Sequence, residues 1–189
     1  MLDQPSAWVK RFAPLIPAGE VLDLACGGGR HARLLAGLGH VVLAVDRDAD
    51  ALGRAAGQGI STLQVDLEVG PLSGGGIWPF EAGRFAGIVV TNYLHRPLLP
   101  HIFDSLAPGG VLIYETFAQG NERFGKPSNP LFLLQRGELL NAVRQAVELY
   151  HVLAFEEGFV DMPKPAMVQR ICVVKKAGED LAPEQLRLF

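Results

Sequence analysis

The sequence predicts an α/β protein: a doubly wound, mostly parallel seven-stranded sheet with an antiparallel edge strand. Three observations predict it. Short apolar runs rich in β-branched residues alternate with helical stretches, which is typical of a parallel sheet with helices on both faces. A glycine-rich turn follows the first of these runs. The last two runs follow each other with no helix between them, so they predict an antiparallel pair at one edge.

The predicted elements follow this alternation along the chain. The seven strands are predicted over residues 20–25, 40–46, 60–65, 85–91, 111–116, 147–155 and 168–175. The helices are predicted over residues 30–38, 49–56, 97–106 and 137–145. Two stretches with weak periodicity, 70–83 and 118–130, are predicted to be loops.

Start and stop residues support the helix boundaries. Gly39 is a natural stop for the first helix, because glycine adopts the left-handed conformation that ends helices. Asp48 can accept hydrogen bonds from the first amides of the second helix, and Gly57 follows its end. Pro97 suits the first turn of the third helix, where no N–H donor is needed.

Length predicts one domain over residues 1–189. We expect the segment 1–19 to lie near the ligand pocket and the tail 177–189 to be partly disordered. The formal net charge of −3 gives no electrostatic footprint for a polyanion, so we expect no nucleic-acid partner. No apolar run approaches the roughly 20 residues that span a bilayer, and the start has no export signal. With only two cysteines, a cytoplasmic protein in a reducing compartment is expected.

Candidate ligand-binding residues lie where the first four strands end. In an open parallel sheet, ligands bind beyond the carboxyl ends of the strands, where the strand order reverses. Gly27 and Gly29 are expected to let the backbone approach a ligand, at the rim of the core. Asp46 can accept hydrogen bonds from ribose hydroxyls, and Asp66 can accept one from an amino group. Asn92 directly follows the fourth strand.

Several of these motifs resemble those of class I S-adenosylmethionine (SAM) methyltransferases. Residues 21–31 read Val-Leu-Asp-Leu-Ala-Cys-Gly-Gly-Gly-Arg-His, which is similar to the first motif of that superfamily. The likeness continues through Val-Asp-Arg-Asp at 45–48, the acid Asp66 and Leu-x-Pro-Gly-Gly at 106–110, and it covers roughly residues 20–117. It implies a Rossmann-like fold, SAM as the cofactor and methyl transfer as the activity.

A narrower likeness is to the tellurite-resistance-type small-molecule methyltransferases. It rests on Thr-Asn-Tyr-Leu-His-Arg at 91–96, Tyr-Glu-Thr-Phe at 114–117 and Lys-Pro-Ser-Asn-Pro at 126–130. This resemblance implies a small acceptor molecule. It does not name the acceptor or the atom that is methylated.

The resemblance assigns a role in binding SAM to ten residues. They are Asp23, Ala25, Cys26, Gly27 and Gly29 at the methionine end, Asp46 at the ribose, Arg47, Asp66 and Leu67 around the adenine, and Asn92 near the methyl donor. The chain departs from the commoner pattern at Ala25, which replaces a glycine, and at Ala86, where many relatives carry an acid.

Each candidate also has a purely structural interpretation. Asp23 can bond the amides of its own turn, and Asp66 can cap the turn that follows it. Cys26 suits a small packing residue better than a nucleophile, because no activating base is evident nearby. Arg30 and His31 lie at a predicted helix start, where their side chains can simply be solvated. Trp8 and Phe12 can either pack on the core or form a lid over the pocket.

Two function classes follow from these observations. The first is a SAM-dependent methyltransferase that acts on a small molecule by in-line displacement, with catalysis mainly by positioning. The alternative is a nicotinamide-dependent oxidoreductase or a non-catalytic nucleotide-binding module on the same fold. No His-Glu-x-x-His spacing or other metal motif occurs, so no metal site is predicted.

The acceptor pocket is predicted between residues 92–95 and the loop 115–130, with Tyr93 and His95 as catalytic candidates. Arg96, Arg123 and Lys126 make this region locally basic, which suits an anionic acceptor.

Overall fold

The computed structural model describes residues 4–69, 78–145 and 150–178. The described strands are Glu20–Leu24 (β1), Val41–Asp46 (β2), Ile60–Gln64 (β3), Phe85–Thr91 (β4), Leu106–Phe117 (β5), Tyr150–Val160 (β6) and Ala166–Lys175 (β7). They form one seven-stranded sheet in the order β3-β2-β1-β4-β5-β7-β6. Neighbours from β3 to β5 pair in parallel, whereas β7 is antiparallel to both β5 and β6. The predicted α/β fold with an antiparallel pair at one edge is confirmed.

Helices cover both faces of the sheet. The described helices are Ala7–Phe12 (α1), Arg30–Gly37 (α2), Ala49–Ala55 (α3), Leu99–Asp104 (α4) and Glu138–Arg144 (α5). Helices α1, α2 and α3 pack in the cluster of buried residues that contains Val21 and Val89, while α4 and α5 pack in the cluster that contains Leu22 and Ile88. Successive strand residues point to opposite faces, so continuous apolar strands supply two cores.

The fifth and sixth strands, and the helix before the fifth, depart from the predicted boundaries. The predicted helix 97–106 is a 3-10 turn, Arg96–Leu98, followed by the short helix α4. Leu106 already pairs with Phe85, and the register then shifts before Val111 pairs with Gly87. Strand β5 therefore includes the Ala-Pro-Gly-Gly turn, which the sequence predicts to lie before the strand. Strand β6 extends beyond the predicted residue 155 to Val160.

Some predicted features fall outside the described residues: 70–77 of the first loop, 147–149 of the sixth strand and 179–189 of the tail. Within the described part, no helix has the length and apolar character needed to cross a membrane. In that same part, no group of three or more histidine, cysteine or acidic side chains is placed to hold a metal ion.

The N-terminal helix α1 packs on the core. Trp8 and Phe12 are 2% and 1% exposed, and their rings meet edge to face at 4.6 Å. The indole N–H of Trp8 donates to the carbonyl oxygen of Ile171 in β7 at 3.4 Å. Of the two interpretations of these aromatic residues, core packing is the one that the structure shows.

Candidate functional site

The strand order reverses between β1 and β4, because β1 connects onward to β2 on one side and pairs with β4 on the other. This is where the open-sheet rule places a ligand. A cavity of about 270 Å³ lies there, at the carboxyl ends of the strands. Its lining residues are Ala25, Val45, Asp46, Arg47, Val65, Asp66, Leu67, Glu68, Asn92 and Tyr93. Six of the ten predicted cofactor-binding residues are therefore together in one cavity.

The glycine turn between β1 and α2 borders this cavity. Ala25, Gly27 and Gly29 all have left-handed backbone conformations, with φ of 53°, 53° and 76°. The turn is held by two backbone hydrogen bonds: the Cys26 amide donates to the carbonyl of Val45 at 2.9 Å, and the Gly29 amide donates to that of Cys26 at 3.0 Å. Ala25 lacks the conformational freedom of the glycine in the commoner pattern, so its φ costs roughly 1 kcal/mol.

The surroundings of Gly27 and Gly29 differ in the room that they leave for a side chain. A Cβ on Gly27 would meet no atom within 4 Å, so this glycine faces open space. A Cβ on Gly29 would lie 2.5 Å from the Cβ and 2.6 Å from the Cα of Ala55 in α3. The expectation that Gly29 lies at the rim of the core is therefore wrong: close packing of α2 against α3 requires this glycine.

Asp46 and Asp66 both lie on the cavity, but they are held differently. One oxygen of Asp46 (Oδ2) accepts from the Gly27 amide at 2.8 Å, and the other (Oδ1) accepts from the Asp48 amide at 3.0 Å. Asp46 thus fixes the glycine turn at the end of β2. Asp66 accepts from the Glu68 amide at 2.9 Å, which is the turn-capping contact that the sequence left open. Each carboxylate oxygen retains capacity for a further hydrogen bond from a ligand.

Asp23 lies beneath the glycine turn rather than on the cavity lining. It is 1% exposed, and its Oδ2 accepts from the Ala32 amide in the first turn of α2 at 2.8 Å. This contact matches the structural interpretation of Asp23, in which its carboxyl group bonds amides of its own turn. Burial raises the pKa of Asp23 from its ordinary value of 3.8 to about 7. A role for Asp23 in holding the methionine end of SAM stays a prediction.

The raised pKa of Asp23 predicts a pH-dependent contribution to stability. Below pH 3.8 the carboxyl is protonated in both states, and between 3.8 and about 7 only the folded state keeps the proton. The stabilisation is therefore full below 3.8 and is lost as the pH rises to about 7. Across this window, the free energy of unfolding of Asp23→Asn should rise relative to that of the parent by at most about 1.4 kcal/mol per pH unit. Above about pH 7 the difference between the two proteins should level off. Urea unfolding at a series of pH values measures the difference, and a constant difference would contradict the assignment.

Tyr93 lines the first cavity, together with Asp66 and Glu68. Burial, and then the neighbouring carboxylate of Glu68, raise the pKa of Tyr93, so its phenol stays protonated. The Tyr114 hydroxyl donates to the Tyr93 carbonyl at 2.9 Å and fixes this residue. His95 directly precedes the 3-10 turn, and its carbonyl accepts from the Leu98 amide at 3.0 Å. Catalytic roles for Tyr93 and His95 stay predictions.

A second cavity, of about 350 Å³, meets the first at Asn92. Its remaining lining residues are Gln4, Pro5, Ser6, Ala7, Arg30, Glu115, Phe117, Val160, Met162, Pro163, Lys164, Ala166, Val168 and Arg170. Asn92 has φ of 55°, a conformation that residues other than glycine seldom adopt, and its amide donates to the Glu115 carbonyl at 2.9 Å. The shared residue makes the two cavities neighbours across one strand end.

The second cavity contains an ion pair that the sequence does not reveal. The guanidinium Nε of Arg170 lies 2.7 Å from Oε2 of Glu115. The pair forms because β5 and β7 place Glu115 opposite Arg170. A lysine, Lys164, also lines this cavity, and with Lys126 it lines the adjoining outer opening.

Arg96 does not belong to a basic acceptor region. Its guanidinium pairs with Glu138 at 2.6 Å and donates to the carbonyls of Leu131 and Leu133 at 2.7 and 2.9 Å. These contacts attach the loop before α5 to the segment after β4. The sequence-based expectation for Arg96 is therefore wrong, because the nearby Glu138 neutralises its charge.

His31 is the main residue whose place the sequence did not predict. It is 1% exposed rather than solvated at a helix start. Its Nε2 lies 3.1 Å from the Ser6 amide and its Nδ1 lies 3.3 Å from the Thr91 hydroxyl. Burial lowers the pKa of His31 to about 3, so the ring is neutral at neutral pH.

Comparison with known sequences gives two matches. The sequence model of a family described as a methyltransferase domain matches residues 21–110. Over 154 residues, the chain is 35% identical to a protein-L-isoaspartate O-methyltransferase of Chlorobaculum tepidum. That alignment includes 77% of this chain and 64% of the relative, so the chain spans less than two thirds of the relative's length.

Comparison with solved structures gives the same fold. A SAM-dependent methyltransferase from Mesorhizobium loti superimposes with a TM-score of 0.66 at 18% identity, over 90% of this chain and 99% of that one. TehB from Haemophilus influenzae superimposes with a TM-score of 0.70 at 18% identity, over 91% of this chain and 62% of TehB. At this level of identity the likeness concerns the fold alone.

Proposed function

We propose that this chain is a class I SAM-dependent methyltransferase that transfers the methyl group of SAM to a small-molecule acceptor. One observation supports this most: two cavities of different character share Asn92 at the point where the strand order reverses. The first has acids at two strand ends, and the second has mainly apolar walls. A transfer reaction needs such a pair of adjoining sites.

The residues of the first cavity fit the nucleoside part of SAM. Asp46 has hydrogen-bonding capacity left for ribose hydroxyls, and Asp66 has it for an adenine amine. Val65 and Leu67 offer apolar surface for a flat ring, with Arg47 beside them. Gly27 faces open space at the turn, where a methionine moiety would follow the nucleoside. These residues would hold the cofactor.

The chain's contribution to catalysis is positioning and exclusion of water. Bound SAM supplies a methyl group on a sulfonium, which is already activated toward in-line displacement by an acceptor atom. The protein therefore needs to align two ligands more than it needs an acid–base pair. The strand end at Asn92, held by the hydrogen bond from its backbone amide to the Glu115 carbonyl, suits this alignment. The same mechanism requires no metal.

We place the acceptor in the second cavity, whose volume of about 350 Å³ falls in the range for small molecules. Phe117, Val160 and Val168 give it apolar walls, and Lys126 and Lys164 line the adjoining outer opening. An acceptor with an anionic group suits these charges. The name of the Chlorobaculum relative describes O-methylation of isoaspartate, so a carboxylate acceptor is one member of this class.

Binding of S-adenosylhomocysteine (SAH) tests the proposal directly. We expect SAH to bind with a dissociation constant of about micromolar order, and NAD to bind at least about 100-fold more weakly. Isothermal titration calorimetry measures both. A panel of thiols, phenols, small carboxylates and an isoaspartyl peptide, assayed for SAM-dependent methylation, then identifies the acceptor class.

The same titration addresses the alternatives. Preferential NAD binding would favour the oxidoreductase, and SAH binding with no turnover across the panel would favour a non-catalytic module. None of the similarities described above supports either. A cytoplasmic location belongs to the proposal, because both Cys26 and Cys172 are free thiols and buried.

A further inference from the structure

The residues before and at the start of α1 form one wall of the acceptor cavity. Gln4, Pro5, Ser6 and Ala7 line it. Helix α1 is fixed by the burial of Trp8 and its neighbours, but Gln4 and Ala7 are exposed, and Pro5 and Ser6 are only half-buried. Packing alone therefore holds this wall weakly, and its position depends on polar contacts.

His31 supplies a polar contact to this wall from a different element. The Ser6 amide can only donate, so the Nε2 atom at 3.1 Å must be the unprotonated acceptor. In a neutral imidazole the proton then lies on Nδ1, which donates to the Thr91 hydroxyl at 3.3 Å. Both ring nitrogens have partners, and the tautomer is determined by the Ser6 contact.

These two bonds join three parts of the site. Ser6 belongs to the wall of the acceptor cavity, Thr91 precedes the shared residue Asn92, and His31 follows the glycine turn in α2. The Ser6 side chain is already used, because its hydroxyl accepts from the Trp8 amide at 3.1 Å and caps α1. The backbone amide of Ser6 therefore links this wall to α2 and, through His31, to the end of β4.

We propose that His31 is a positioning residue that holds residues 4–7 as a wall of the acceptor cavity, in register with the end of β4. The importance of this wall for acceptor binding rests on the proposed function; the contact itself does not. Because His31 is buried and hydrogen-bonded at both nitrogens, its loss frees the Ser6 amide and opens the cavity on that side. The cofactor cavity should be unaffected, since His31 does not line it.

Labelling of a cysteine placed inside the cavity tests this proposal without a known acceptor. Val168 is 8% exposed and lines the cavity, so Val168→Cys reports access when treated with N-ethylmaleimide. In this background, His31→Ala should speed labelling by about 5-fold or more, as expected for loss of a buried hydrogen bond. The parent chain gives the background rate, which should be low because burial raises the pKa of Cys26 to about 12 and also raises that of Cys172.

A conservative replacement separates positioning from general loss of structure. A glutamine amide can place an oxygen near the position of Nε2, so His31→Gln should restore the slow labelling to within about twofold of the Val168→Cys background. Hydrogen–deuterium exchange of residues 4–12 should show the same pattern, with faster exchange in His31→Ala and recovery in His31→Gln. Rescue of both readouts would support the proposal.

Three results would overturn it: unchanged labelling and exchange in folded His31→Ala, fast labelling in folded His31→Gln, or a large loss of SAH affinity in His31→Ala. The last would mean that His31 acts through the cofactor cavity. Should SAH fail to bind the parent chain, the proposed function fails instead, while the labelling result still decides whether His31 holds the wall.

Discussion

Asp46→Ala is expected to weaken SAH binding by about 10-fold or more, because a hydrogen bond to a charged group contributes about 1.5–3 kcal/mol. Asp46 lines the first cavity at the end of β2. The structure adds a second reason, since Asp46 also fixes the Gly27 amide at 2.8 Å and so holds the turn that borders the same cavity. Calorimetric titration with SAH measures the combined effect.

Asp48 provides a matched control for this experiment. It carries the same charge two residues away, but its side chain caps α3 by accepting from the Asp50 and Ala51 amides at 2.9 and 3.0 Å. Asp48→Ala should therefore lower the free energy of unfolding by about 1 kcal/mol and leave SAH affinity nearly unchanged. If folded Asp46→Ala bound SAH as tightly as the parent, the assignment of Asp46 to the ribose would be wrong.

Gly29→Ala is expected to lower the free energy of unfolding by about 3 kcal/mol. A methyl group there would overlap Ala55, with the nearest atoms 2.5 and 2.6 Å away, and such overpacking costs roughly 1–3 kcal/mol. The left-handed φ of 76° adds about 1 kcal/mol for any residue with a side chain. Urea or thermal unfolding followed by circular dichroism measures the loss.

Gly27→Ala is the matched control, because Gly27 has a similar φ of 53° but would place its methyl group in open space. It should cost only the strain of about 1 kcal/mol. The double variant Gly29→Ala with Ala55→Gly should recover part of the stability that Gly29→Ala loses, since it removes the side chain that is overlapped. Equal losses for the two single variants would show that contact with α3 does not explain the glycine.

The succession of strands and helices in the parallel part of the fold could be predicted, and so could the meeting of Asp46, Asp66 and Asn92. Asp46 ends a predicted strand, and Asp66 and Asn92 directly follow one. The carboxyl ends of parallel strands lie at the same edge of a sheet. A local signal, an acid or amide after an apolar run, therefore fixes a position in space. No long-range contact has to be known in advance.

The second cavity could not be predicted in the same way, because it depends on contacts between distant segments. Glu115 meets Arg170 only through the register of β5 with β7. His31 meets Ser6 only once α1 has packed against the sheet. Gly29 has the sequence signature of a ligand-binding glycine, yet the reason for a glycine here is that Ala55 in α3 leaves no room for a side chain. Tertiary packing decided these cases.

Among the residues that the structure describes, the two cavities share Asn92 but no other lining residue, so their linings can change independently in evolution. The first cavity is built from residues 25–93, whereas most of the second comes from residues 4–7 and from the hairpin of β6 and β7. Val160, Met162 and Lys164 lie at the tip of that hairpin or beside it, outside the parallel strands that position the acids. Under the proposed function, exchange or lengthening of the hairpin tip would change acceptor preference and leave the residues of the first cavity unchanged.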